Sequence, residues 1–162
     1  MKLKFIKKLG DGSFADVWLA KDDLDREVAV KIIREANVLV VDAMMHAKAL
    51  AKINHDNVVK VFSLEKVTDP ESGELVDGVV MELINGITLD EMLKGKKLSG
   101  QEVKNYGIGI INGLIQIQNQ GMAHGDLHSE NIMIENGNVK IIDILYLEDT
   151  ISVITRRIEE IT

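Results

Sequence analysis

The first 33 residues hold three strand-like apolar runs joined by turns too short to contain a helix. Residues 2–9 carry Leu3, Phe5 and Leu9 on one face, residues 16–20 follow a glycine turn at Gly10 and Gly12, and residues 26–33 are rich in Val and Ile. Parallel strands need a crossover of about a dozen residues or more, usually a helix. These runs therefore predict an antiparallel meander and not a βαβ unit.

From residue 37 to 54 the period changes. Leu39, Ala43, His46, Leu50 and Ile53 fall on one helical stripe, while Val38, Val41 and Met45 lie off it. A helix apolar on more than one side implies cover from something beyond its own sheet. Residues 57–67 and 75–83 read as a β-pair joined by the turn-rich Asp69-Pro-Glu-Ser-Gly73.

The second half is mostly helical. Thr88-Leu-Asp-Glu91 and Ser99-Gly-Gln-Glu102 match the capping box, in which hydroxyl and carboxylate satisfy orphan N–H groups at a helix start. The helix opened by Ser99 carries Val103, Tyr106, Ile110, Leu114 and Ile117 and stops near Gly121. Gly107, Gly109 and Gly113 inside it each cost roughly 1 kcal/mol relative to Ala. Close packing against another backbone explains such glycines, and so does simple tolerance. Residues 132–134 and 139–142 form two short strands around Asn136-Gly137, a strong hairpin signal. Ile151, Ile154, Ile158 and Ile161 then mark a short amphipathic helix.

Composition bounds the function. A length of 162 residues with 46% apolar and 28% charged residues fits one globular domain. A formal charge of −7 argues against a dedicated binder of nucleic acid or anionic membrane, which needs clustered Lys and Arg. Lys94, Lys96 and Lys97 form the one cationic run of note, read as a solvated loop. With no cysteine, no signal-peptide block and no apolar run of spanning length, the expectation is a cytoplasmic protein.

Three motifs carry chemistry. In Leu9-Gly-Asp-Gly-Ser-Phe-Ala-Asp-Val17 a glycine turn between strands lets backbone N–H groups approach phosphates. No helix follows it and no Gly-Lys-Ser/Thr is present, so the Rossmann and Walker readings both fail. Val28-Ala-Val-Lys31 sets a lysine in an apolar strand, either beside a negative partner or at an edge facing water. Finally, His124-Gly-Asp-Leu-His-Ser-Glu-Asn131 precedes Asp143 by twelve residues, counted from Asn131. Phosphoryl transfer needs a carboxylate beside the acceptor hydroxyl and oxygen ligands holding Mg²⁺ against nucleotide phosphates.

With these motifs in this order over nearly its whole length, the chain resembles the protein-kinase-like superfamily. The resemblance implies an α+β protein-kinase-like fold: a five-stranded antiparallel N-lobe with one helix over residues 1–83, and a shortened, mostly helical C-lobe over 84–162. It further implies Mg²⁺ and ATP. Leu9, Gly10, Gly12, Ser13, Val17 and Ala29 would enclose the nucleotide, and Lys31 would pair with its α- and β-phosphates. Met81 would be the gatekeeper, Glu82-Leu-Ile84 the hinge receiving adenine, and Met133 the apolar floor. Asp126 matches the catalytic-loop aspartate, and Asn131 and Asp143 match the two metal ligands.

Several positions depart from the family pattern. His46 occupies the place of the helix glutamate that pairs with the strand lysine; Asp42, one turn earlier, is the substitute the helix offers. His-Gly-Asp-Leu-His replaces the His-Arg-Asp-Leu-Lys of eukaryotic protein kinases and is similar to aminoglycoside-type and atypical bacterial kinases. His124 reads as a structural, hydrogen-bonded histidine. Asp143-Ile-Leu145 lacks the usual glycine, and 19 residues follow Asp143, short of a usual C-lobe. The leading expectation is a kinase acting on Ser or Thr hydroxyls of a protein. A pseudokinase or nucleotide-binding module working through a partner, and a small-molecule kinase, are the alternatives. Exposed apolar helix faces would serve a partner or a homodimer.

Overall fold

The computed structural model describes residues 2–11, 15–33, 47–125 and 127–142. Strands β1 (Lys4–Asp11), β2 (Ala15–Lys21), β3 (Glu27–Ile33), β4 (Val61–Thr68) and β5 (Leu75–Glu82) form one antiparallel sheet in the order β1-β2-β3-β5-β4. The expected meander is present. The Val/Ile run of β3 is the central strand, buried on both faces. Val28, Val30 and Ile32 pack on the outer face with Ala20, Val67 and Val80, and Ala29 and Lys31 face the other way.

Strand β1 differs from the expectation. Leu3 and Phe5 join the outer cluster, Phe5 edge-on to Trp18, whereas Leu9 lines the cavity on the opposite face. Register shifts between Phe5 and Lys7 and between Lys8 and Gly10 break the simple alternation.

A second correction concerns residues 57–59, expected within a strand. They peel away from β4 to meet the C-terminal hairpin: Val58 bridges Ile141 in parallel, Val59 N–H donates to the Ile141 carbonyl, and Ile141 N–H donates to the Asn57 carbonyl. Backbone pairing across the molecule outcompetes extension of the hairpin strand.

Of the expected helix over 37–54, residues 47–50 are helical, residues 51–52 form a turn, and 37–46 lie outside the described residues. Ala47, Leu50 and Ile53 enter a core with Val58, Val59, Val61, Val79, Ile117 and Ile141, so one cluster spans both halves of the chain.

Those later elements are β6 (Ile87–Thr88), α1 (Leu89–Gly95), α2 (Gly100–Asn119), a 3₁₀ turn (Ser129–Asn131), β7 (Ile132–Glu135) and β8 (Asn138–Ile141). Both capping boxes form, Thr88 with Glu91 and Ser99 with Glu102. The β7–β8 hairpin turns through Asn136 at φ 50° and Gly137 at φ 79°, the two left-handed residues that a tight hairpin needs.

Helix α2 buries Tyr106, Gly109, Gly113 and Ile117, while Val103, expected in the core stripe, is 55% exposed. The reason is backbone proximity. A Cβ on Gly113 would lie 2.7 Å from the Asn57 carbonyl oxygen and 2.7 Å from Ile141 Cδ1, so the helix seats through its glycines. Gly107 has nothing within 4 Å and is merely tolerated. Ile108, Ile111 and Ile115 are exposed on the far side of α2, and the isoleucine stripe at 151–161 lies outside the described residues. Among the described residues no helix is long and apolar enough to cross a membrane.

Candidate active site

A cavity of about 330 Å³ opens between the inner face of the five-stranded sheet and the β7–β8 hairpin. Leu9, Gly10, Val17 and Ala29 line it from β1 to β3, Met81, Glu82 and Ile84 from the end of β5 onward, and Met133 from β7. These are residues that the sequence singled out, drawn together from five separate strands and their ends. Strand register explains part of this: Val17 faces Lys31 across the β2–β3 ladder, and Ala29 faces Met81 across β3–β5.

Lys31 also lines the cavity and is only 5% exposed. The edge-strand alternative is thereby excluded, because β3 has hydrogen-bonded neighbours on both sides. A nearly buried ammonium in a predominantly apolar wall is costly unless anionic or polar groups meet it. Among the described residues, the cavity thus combines an apolar slot with the Lys31 cation.

Asn131 closes the 3₁₀ turn and is 6% exposed. Its Nδ2 lies 3.0 Å from His128 Nε2, its carbonyl accepts the Ile142 N–H at 2.9 Å, and His128 Nδ1 accepts the Glu130 N–H at 3.3 Å. The preceding loop is pinned from α1, where Asp90 accepts the Ser129 hydroxyl at 3.2 Å. The Lys94 ammonium beside Asp90 holds that carboxyl below the usual carboxylate range; burial opposes this and the Ser129 hydroxyl reinforces it. His124 is buried, with Nε2 3.0 Å from the Ile142 carbonyl, the structural role expected of it. Gly12, Ser13, His46, Asp126 and Asp143 lie outside the described residues.

Some lining residues were not singled out by sequence as part of a site. Leu50, Val59 and Val61 line the cavity from the shared core, with Thr88 and Ile142 along the remaining wall. Leu50 was legible only as a core residue of its helix. Gly86 gave no signal at all: a Cβ there would fall 2.1 Å from the Ile134 carbonyl oxygen, so the segment after β5 approaches the hairpin at glycine distance.

Comparison with known proteins agrees with this architecture. The chain matches the protein kinase domain family over residues 3–145. It is similar to the probable serine/threonine-protein kinase PknB of Bifidobacterium longum (strain NCC 2705), at 34% identity over 83% of this chain and 21% of that protein. It is likewise similar to the serine/threonine-protein kinase PrkC of Bacillus subtilis (strain 168), at 29% identity over 88% of this chain and 22% of that protein. A third relative is the tyrosine-protein kinase SRK3 of Spongilla lacustris, at 28% identity over 82% of this chain and 39% of that protein. The chain therefore spans about a fifth of the length of the first two. The match over residues 3–145, on a sheet, cleft and hairpin of this form, makes the chain a member of the protein kinase domain family.

Proposed function

We propose that this chain binds Mg·ATP in the cleft and transfers its γ-phosphoryl group to a Ser or Thr hydroxyl of a protein. The observation that carries the reading is Lys31, a nearly buried cation on the wall of an apolar cavity. Adenine, flat and apolar on both faces, suits a slot between Val17 and Ala29 on one side and Met133 on the other. The backbone of residues 82–84 supplies edge hydrogen bonds, and Lys31 meets the phosphates. In this reading residues 1–83 and 84–162 are the two lobes.

Asn131 and Asp143 would hold Mg²⁺, which offsets phosphate charge. The buried amide of Asn131, in a loop pinned by Ser129 and Asp90, fits such a ligand. Asp126 accepts the proton of the attacking hydroxyl as the new P–O bond forms and ADP leaves with the electron pair of the broken one. A protein acceptor is favoured over a small molecule by the names of the relatives, and a cysteine-free chain suits the cytoplasm.

His46 and Leu145 favour a second reading, a nucleotide-binding module that acts through a partner without turnover. Transfer of radiolabelled phosphate to a protein acceptor, compared between wild type and Asp126→Ala, separates the two. Incorporation that disappears in the variant supports the kinase. Nucleotide binding with no incorporation by either protein supports the module.

A further inference from the structure

Glu82 joins three parts of the molecule. Its carboxylate takes the Lys140 ammonium from β8 at 2.8 and 2.9 Å, and Oε1 also accepts the Lys60 N–H at 2.8 Å. Its backbone N–H donates back to the Lys60 carbonyl at 2.9 Å. The side chains of Lys140 and Glu82 are 14% and 21% exposed, so water solvates neither charge fully. Lys140 stands opposite Met133 in the hairpin register, and both Met133 and Glu82 line the cavity.

The same hairpin also grips the other end of the segment. Asn85 N–H donates to Glu135 Oε1 at 2.6 Å, Gly86 lies against the Ile134 carbonyl, and Ile87 pairs with Ile134 in β6–β7. Leu83 and Ile84, which line the cavity, are thus held between two anchor points on one hairpin. An ion pair shielded from water contributes little net stability but fixes geometry, because a lone charge left at such a site is penalised. A segment held in its binding conformation loses less freedom when a ligand arrives.

We propose that Glu82 and Lys140 form a clasp that positions the backbone of residues 83–86 for the nucleotide base. Both are positioning residues through their side chains, and the inference rests on the nucleotide reading of the cleft. Its opposite would be a surface pair that supports the fold in general and nothing at the cleft in particular.

The test uses the whole chain with Glu82→Gln, Lys140→Met, the double variant and Lys140→Arg. Glu82→Gln keeps an acceptor for the Lys60 N–H and removes only the charge. In nucleotide-free protein, hydrogen exchange of the amides of residues 83–86 should quicken about tenfold in each neutral single variant. Amides of β2 and β3 should keep their rates, and Lys140→Arg should restore slow exchange. The Kd for Mg·ATP should rise about fivefold in each single variant, and the double variant should bind no more weakly than the weaker single. Unchanged exchange at 83–86, acceleration spread evenly over the sheet, or effects that multiply in the double variant would each overturn the clasp. If the wild type binds no Mg·ATP, the reading of the cleft fails, and the exchange pattern still decides whether the clasp exists.

Discussion

Val17 on β2 stands directly across the ladder from Lys31 on β3, and the two side chains line the same cavity. A β-branched wall and a cation one strand apart divide the site into an apolar part and a charged part. If the charge serves the ligand and not the fold, Lys31→Met, which keeps the apolar stem, should leave the protein folded. It should weaken Mg·ATP binding by about tenfold or more, the worth of a charge-assisted contact. Calorimetric titration with a thermal unfolding control checks this; equal affinity in the two proteins would remove Lys31 from the site.

The glycines of α2 should respond in opposite directions. Gly107 has open space where a Cβ would point, so Gly107→Ala should stabilise the protein by roughly 0.5–1 kcal/mol through helix propensity. At Gly113 a Cβ would meet the Asn57 carbonyl at 2.7 Å, and Gly113→Ala should destabilise by about 1–3 kcal/mol. Urea denaturation of both variants measures the difference; matching signs would contradict the close approach.

Asn57 Nδ2 donates to the Val139 carbonyl at 2.8 Å and ties the hairpin to the segment before β4. Asn57→Ala leaves that carbonyl without its donor and should cost about 1–3 kcal/mol. Asn57→Asp should cost more, since a carboxylate would face a carbonyl. A rank order by thermal denaturation in which Asp is the milder change would refute the assigned hydrogen bond.

The capping box at Ser99 carries a pH dependence. The Lys96 ammonium, together with the Ser99 N–H and hydroxyl, holds the Glu102 carboxyl down at about 2, below its ordinary 4.5. As pH falls, the unfolded chain takes up this proton before the folded one does, so the contribution is whole above 4.5 and is lost as pH falls toward about 2. The stability gap between wild type and Glu102→Gln should therefore narrow across that acid range and stay constant near neutrality. A gap that widens on acidification would mean the sign is wrong.

Much of this was legible in the sequence because it rests on short-range rules. The opening meander, the two capping boxes and the Asn136-Gly137 turn are local, and they formed as read. What escaped depends on partners distant in the chain. Residues 57–59 turn away from β4 because Ile141 pairs with them. Val103 loses its place in the core because the buried face of α2 is centred on Gly109 and Gly113, which approach Asn57, Val139 and Ile141. Leu9 changes face because β1 is irregular in register. At the site, the family resemblance singled out most of the wall. The joining of Glu82 to Lys140, 58 residues apart, left no mark in either local pattern.

The most direct test is a crystal structure of the protein with Mg²⁺ and a non-hydrolysable ATP analogue. The account predicts adenine between Ala29 and Met133, hydrogen bonds to the backbone of residues 82–84, and a phosphate oxygen within hydrogen-bonding distance of Lys31 Nζ. A nucleotide bound elsewhere, or phosphates with no contact to Lys31, would contradict it.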